Sequence, residues 1–242
     1  MKITRSNPAA SRGKTLGILA LCTLSSGSLR AQQVLLQTNV ATDTLAPRTG
    51  PNRPWFGHTY VGYGFAAGSS SLGVKYGFGS TETLVGGRLK RRLNGSLALC
   101  ADLRYAYLRY QLDPQAPHGA PFLSDPDARQ HLGYHQAQTE LSVRLNLGRR
   151  GNVVGRYFDL LAYGGYALGT TNAAELPAPG GGEREIVDHT PPYLARWLGG
   201  VGLRVGSNSL ALVGRYRLSD ALRGPGLPEP PRVTVGLEIG WF

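Results

Sequence analysis

The feature that most constrains this chain is an alternation of period two that returns along the sequence from His58 to the last residue. In the last segment Val233, Val235, Leu237, Ile239 and Trp241 alternate with Thr234, Gly236, Glu238, Gly240 and Phe242. Over 209–219, Leu210, Leu212, Gly214, Tyr216 and Leu218 share one parity while Arg215 and Arg217 take the other. Over 138–147, Thr139, Leu141, Val143, Leu145 and Leu147 oppose Gln138, Glu140, Ser142, Arg144 and Asn146. A strand sends successive side chains to opposite faces, so each segment has one apolar face and one charged face, whereas a helix would scatter the charges around its axis.

Segments 58–68, 82–92, 96–112, 157–171 and 193–206 repeat the pattern, which makes eight strands. Each reaches the roughly 9–11 residues that cross a bilayer at a steep tilt. The joins alternate in length. Those at Asn94-Gly95, 148–155 and Ser207-Asn208 are short, whereas 69–81, 113–131, 172–192 and 220–231 are long and rich in Pro and Gly. Short turns at one end and long loops at the other are the pattern of an up-and-down membrane barrel. The expected fold is therefore all-β, an eight-stranded antiparallel up-and-down transmembrane β-barrel. An even strand count brings both chain ends to the short-turn side, the periplasm in this reading.

The N-terminus sets the compartment. Lys2, Arg5, Arg12 and Lys14 precede an apolar run from Thr15 to Leu24 and a small polar exit to Ala31. That is a secretory signal layout, and the run is shorter than the roughly 18 residues of a spanning helix. Cleavage is expected after Ala31. Cys22 follows Leu21 rather than a small residue, which argues against lipidation. The expected organisation is a signal peptide at 1–31, a Pro-containing periplasmic lead-in at 32–56 and the barrel at 57–242. Cys100 is then the sole cysteine of the mature chain, so no internal disulfide can form.

Charge counts against a nucleic-acid partner. The 26 basic and 15 acidic residues include five basic ones in the leader, whose removal leaves 21 against 15, with the arginines scattered singly. The 34 glycines and 12 tyrosines suit closely apposed strands that end in a lipid interface.

A leader ending in Ala31-Gln32-Gln33, eight alternating strands and a last strand closing on Trp241-Phe242 resemble the OmpA/OmpX-type small outer-membrane barrels of Gram-negative cell envelopes. The resemblance covers roughly 57–242. It implies that Trp241 and Phe242 form an insertion signal read by the barrel-insertion machinery, although the apolar parity of Leu237, Ile239 and Trp241 is one residue out of phase with Phe242. Family members differ in function, so the resemblance carries the fold and no activity.

With the apolar parity toward lipid, the interior receives Glu82, Arg88, Lys90, Asp102, Arg104, Glu140, Arg144, Asp159, Arg196, Arg204, Arg215, Arg217 and Glu238. Both signs are present, and buried charges persist when paired, so a structural ion-pair network is expected in the lumen, with a narrow, porin-like ion path as the alternative. His131 and His135 stand four apart, about 13 Å on a strand, too far to share one metal ion. Gly62, Gly64 and Gly68 in VGYGFAAG lack the following helix of a dinucleotide loop. Lys90-Arg91-Arg92 and Arg149-Arg150 sit beside short joins and read as a phosphate-facing girdle.

No nucleophile is seen with a base beside it, so no catalytic residue, cofactor or metal is assigned. The expected role is structural, adhesive or interactive through the outer loops, with outer-membrane lipid, the insertion machinery and an unidentified extracellular partner as contacts. An outer-membrane enzyme acting on lipid or peptide is the alternative, and a soluble barrel with an apolar interior is the third. On this reading, Leu212→Arg should destabilise more than Arg215→Leu.

Overall fold

The computed structural model describes residues 50–242, apart from 117, 120, 124, 149–150 and 179–181. The expected leader and most of the lead-in lie outside the described residues. Nine strands follow in order: β1 (Trp55–Ala67), β2 (Thr81–Arg92), β3 (Leu97–Gln111), β4 (Arg129–Leu147), β5 (Arg156–Pro177), β6 (Glu183–His189), β7 (Trp197–Ser207), β8 (Leu210–Arg217) and β9 (Val233–Trp241). Eight of them form a closed antiparallel barrel in the order β1-β2-β3-β4-β5-β7-β8-β9, and β9 returns to β1 through pairs such as Val61 with Ile239. The expected fold class is the observed one.

The ninth strand changes the expected layout. β4 begins at Arg129 rather than 138, β5 runs on to Pro177, and β6 pairs only with this outer part of β5, from Thr171–His189 to Pro177–Glu183. Most of the expected loop at 172–192 is thus sheet that extends beyond the barrel, whereas only 129–131 of the expected loop at 113–131 is strand. Two local causes hid it. A bulge at Leu168, which β5 inserts opposite His135 and Gln136 of β4, breaks the alternation of β5, and every residue of β6 is exposed, so neither face of β6 carries an apolar code.

The short joins are built by residues suited to tight turns. Asn94 Oδ1 accepts the backbone N–H groups of Ser96 (2.9 Å) and Leu97 (2.7 Å), closing an Asx turn between β2 and β3. Asn208 adopts φ +52° in the two-residue join of β7 and β8, a left-handed conformation that Asn tolerates. At the closing seam Gly64 pairs with Gly236, and a Cβ added to Gly236 would fall 2.7 Å from the Gly64 Cα. Two side chains would not fit at that inward-facing position.

The alternation resolves into outside and inside as the sequence reading expects. Val61, Val85, Leu89, Leu99, Leu103, Leu141, Val143, Leu160, Leu203, Val205, Leu237 and Ile239 are exposed on the outer wall, Leu103 and Leu141 by 68 % each. Tyr63, Tyr105, Tyr166, Trp197 and Tyr216 are exposed toward the long-loop end, and Trp55 and Trp241 toward the short-turn end. The charged parity is buried within the barrel.

Candidate functional site

The lumen is the most elaborate side-chain assembly in the described residues. Five guanidiniums, of Arg88, Arg104, Arg144, Arg204 and Arg215, meet five carboxylates, of Glu82, Asp102, Glu140, Asp159 and Glu238. Strand register creates much of this. Arg88 stands opposite Asp102 on β2 and β3, and Asp159 of β5 stands opposite both Arg144 of β4 and Arg204 of β7. Arg88 Nε and Nη2 donate to Asp102 at 3.0 and 2.7 Å, and Tyr60 Oη donates to the same carboxylate at 2.9 Å. Arg144 holds Asp159 through two bonds of 2.8 Å, and its guanidinium lies 3.6 Å from the centre of the Tyr157 ring.

Arg204, fully buried, ties the assembly together. It donates to Asp159 (3.1 Å), Glu140 (2.5 Å) and Glu238 (3.2 Å), carboxylates carried by three different strands. Arg104 donates to Glu140 and, at 2.8 Å, to Gln138. Arg215 bridges Glu82 (3.1 Å) and Glu238 (2.7 Å). Bringing charges into a low-dielectric interior costs several kcal/mol each unless they are paired and hydrogen-bonded, so equal numbers of the two signs let the barrel remain filled without stranded charge.

Arg217 stands one layer nearer the long-loop end and serves a second assembly. Its guanidinium donates to Glu229 (3.0 Å) and to the carbonyls of Ser219 (2.7 Å) and Pro230 (3.1 Å). The Glu229 carboxylate also accepts the N–H groups of Ala221 (3.1 Å) and Leu222 (3.0 Å), and its backbone carbonyl accepts Leu72 N–H (3.0 Å). Above this clasp the long loops fold onto the barrel end. Leu72, Val74, Leu112, Phe122, Leu194 and Leu222 are buried there with Leu132 and Tyr134 of β4. Tyr134 Oη donates to the Ala221 carbonyl (2.8 Å), and burial raises the pKa of the Tyr193 phenol beside this cap. The loops at this end therefore form a packed apolar lid.

Two residues depart from expectation. Arg196, expected in the lumen network, is exposed, and its guanidinium lies 3.4 Å from Tyr166 Oη. It has the inward parity of β7, but the strand begins only at Trp197, and a bend at Arg196 turns the side chain out. Phe242 follows the end of β9 and turns to the Phe56 and His58 rings, 5.9 and 5.5 Å away between centroids, while Trp241 stays on the outer wall. This accounts for the phase difference between the two residues of the expected insertion signal.

His131 and His135 both lie on β4. His135 Nδ1 is hydrogen-bonded to Tyr105 Oη at 2.5 Å and its ring packs on Tyr107, 4.6 Å between centroids. Lys90 points inward and donates to the Pro51 carbonyl, whereas Arg91 is exposed. Tyr60, Gln138 and Glu229 complete the two assemblies and are not part of the expected charge network. Parity places Gln138 on the polar face of its strand, but an uncharged amide falls outside a network read from charges. Glu229 sits in a Pro-rich loop without a period, and nothing local marks it.

The sequence matches no protein-family model and no curated protein. Among solved structures, similar chains include Ail, the attachment invasion locus protein of Yersinia pestis, at TM-score 0.34 and 10 % identity over 76 % of this chain and 93 % of that one. The same protein in complex with the heparin analogue sucrose octasulfate gives TM-score 0.32 and 11 % identity over 76 % and 94 %. The N-terminal β-barrel domain of Pseudomonas aeruginosa OprF gives TM-score 0.29 and 10 % identity over 80 % and 100 %. The assignment of this chain as an eight-stranded antiparallel barrel stands on its own strand register and closure.

Proposed function

We propose that this protein is a bacterial outer-membrane barrel whose capped long-loop end is its interaction surface, with a structural or adhesive role and no reaction of its own. The observation that carries this is the outer wall, a continuous belt of exposed Leu, Val and Ile around a charged interior, bordered by exposed aromatics toward both ends. Water would penalise such a belt at about 25 cal/mol per Å², whereas a bilayer favours it, and membrane barrels carry an apolar band about 25 Å tall between aromatic girdles. A soluble barrel that binds an apolar ligand would invert the two faces.

In this reading the short-turn end, with both termini of the barrel, faces the periplasm, and the loop lid faces outward. Outer-membrane lipid surrounds the belt, the insertion machinery engages Trp241 and Phe242, and an extracellular partner meets the lid and the β5–β6 extension. The filled lumen supports a structural role over a porin-like path. The void beside Gln136 and Tyr163 is about 10 Å³, room for one water.

Protease added to intact cells expressing the chain tests location and orientation together. Cutting within 113–128 or 178–182, with 93–96 and 208–209 spared, is the expected result. Cutting at the short joins instead, or recovery of the protein in the soluble fraction, would overturn the reading.

A further inference from the structure

The outer wall is not uniformly bulky. Leu89, Ala101, Leu141, Ala162 and Val201 form one hydrogen-bonded row across β2, β3, β4, β5 and β7. Ala101 and Ala162 stand on either side of Leu141, where the next row toward the short-turn end carries Leu99 and Leu160 around Val143, and the dent they leave belongs to an open, apolar groove of about 580 Å³. That volume falls within the range of roughly 300–1,000 Å³ typical of small-molecule sites.

The groove has a direction. Leu89 is three residues from the short-turn end of β2, whereas Val201 is six residues from the short-turn end of β7. The row therefore climbs from the rim into the belt, as hydrogen-bonded rows do when strands tilt. It crosses four interstrand gaps of about 4.8 Å, roughly 19 Å along the row, and at a strand tilt of about 35–45° it rises about 11–13 Å, most of the ~15 Å that one leaflet contributes to the hydrocarbon core. At its rim end stands Arg91, exposed, with its guanidinium 5.4 Å from the centre of the Trp55 ring. Among the described residues no carboxylate pairs with Arg91.

An apolar channel that reaches through most of one leaflet, headed by a cation held on an interfacial tryptophan, matches an amphiphile with a negative head and a long tail. We propose that this groove is a binding site for one anionic glycerophospholipid of the leaflet at the short-turn end, with an acyl chain along the Ala101–Ala162 row and the phosphate on Arg91. The site rests on the membrane reading above, since only a lipid-facing wall meets such a ligand. Arg91 sets head-group preference, and the two alanines set the fit of the tail.

The test uses the full barrel reconstituted in nanodiscs of equal phosphatidylglycerol and phosphatidylethanolamine, released into mild detergent and weighed by native mass spectrometry. One retained phosphatidylglycerol per barrel is expected. Arg91→Gln should reduce its preference over phosphatidylethanolamine about fivefold, the worth of one basic residue at an anionic lipid surface. Ala101→Leu/Ala162→Leu should abolish retention of either lipid, and a heat-dependent gel shift of each variant establishes that the barrel is folded. Folded wild type without retained lipid, unchanged retention in the alanine variants, or a dimer that the alanine variants break would each overturn the site. Failure of the wild-type barrel to enter nanodiscs would instead overturn the membrane reading.

Discussion

Arg215 shows what a single lumen residue holds in place. It is the ion-pair partner of Glu82 among the described residues and also holds Glu238. Arg215→Leu therefore leaves a buried carboxylate without its partner, a loss of about 3–5 kcal/mol. Leu212 lies two residues into β8 from the short-turn end, near the rim of the belt, where an arginine reaches the interface at a cost of about 0–1 kcal/mol. The order expected from sequence is thereby reversed. Leu103, deep in the belt and 68 % exposed, is where an arginine should cost about 2–4 kcal/mol. Urea titration of Leu103→Arg, Leu212→Arg and Arg215→Leu in lipid vesicles checks the ranking, and a Leu212→Arg loss equal to that of Leu103→Arg would contradict it. Parity was legible in the sequence because it is a property of neighbours along the chain. Depth in the belt and the identity of an ion-pair partner depend on register between strands, which alternation alone leaves open. Arg196 is the sharpest case, since its parity was right and its strand had not yet begun.

At the level of elements, the barrel strands and the three short joins were readable because apolar and polar positions separate cleanly there. β6 was not, because a strand exposed on both faces has no side that burial must protect. Its hydrogen bonds run only to the outer part of β5, so the barrel should not depend on it. Replacing Ala174–Ile186 with an Asn-Gly turn should leave the heat-dependent gel shift intact and lower the melting temperature only slightly, and loss of the shift would show that β6 is part of the folding unit. Glu229 is the reverse case, a loop residue on which several segments converge. Glu229→Ala removes the acceptor shared by Arg217, Ala221 and Leu222. Hydrogen exchange should then accelerate through 70–76 and 219–230 while β3 and β4 remain protected. Unchanged exchange in those loops would mean that the apolar lid holds without its clasp.

On the scale of the whole molecule, the charged interior and the apolar exterior are two consequences of one alternation. Five arginines and five carboxylates fill the barrel, and the folded loops close its long-loop end. Reconstituted in a planar bilayer, the protein is expected to give no stepwise conductance, and regular single-channel steps would show that the network opens. The membrane reading itself is tested most directly along β4. A nitroxide placed in turn at each residue from 138 to 145, in a Cys100→Ser background, should show accessibility to oxygen but not to a water-soluble nickel reagent at Thr139, Leu141, Val143 and Leu145. It should be immobile and shielded from both at Gln138, Glu140, Ser142 and Arg144. Nickel accessibility at the odd positions, with oxygen contact moved to the even ones, would contradict a barrel that turns this face to lipid.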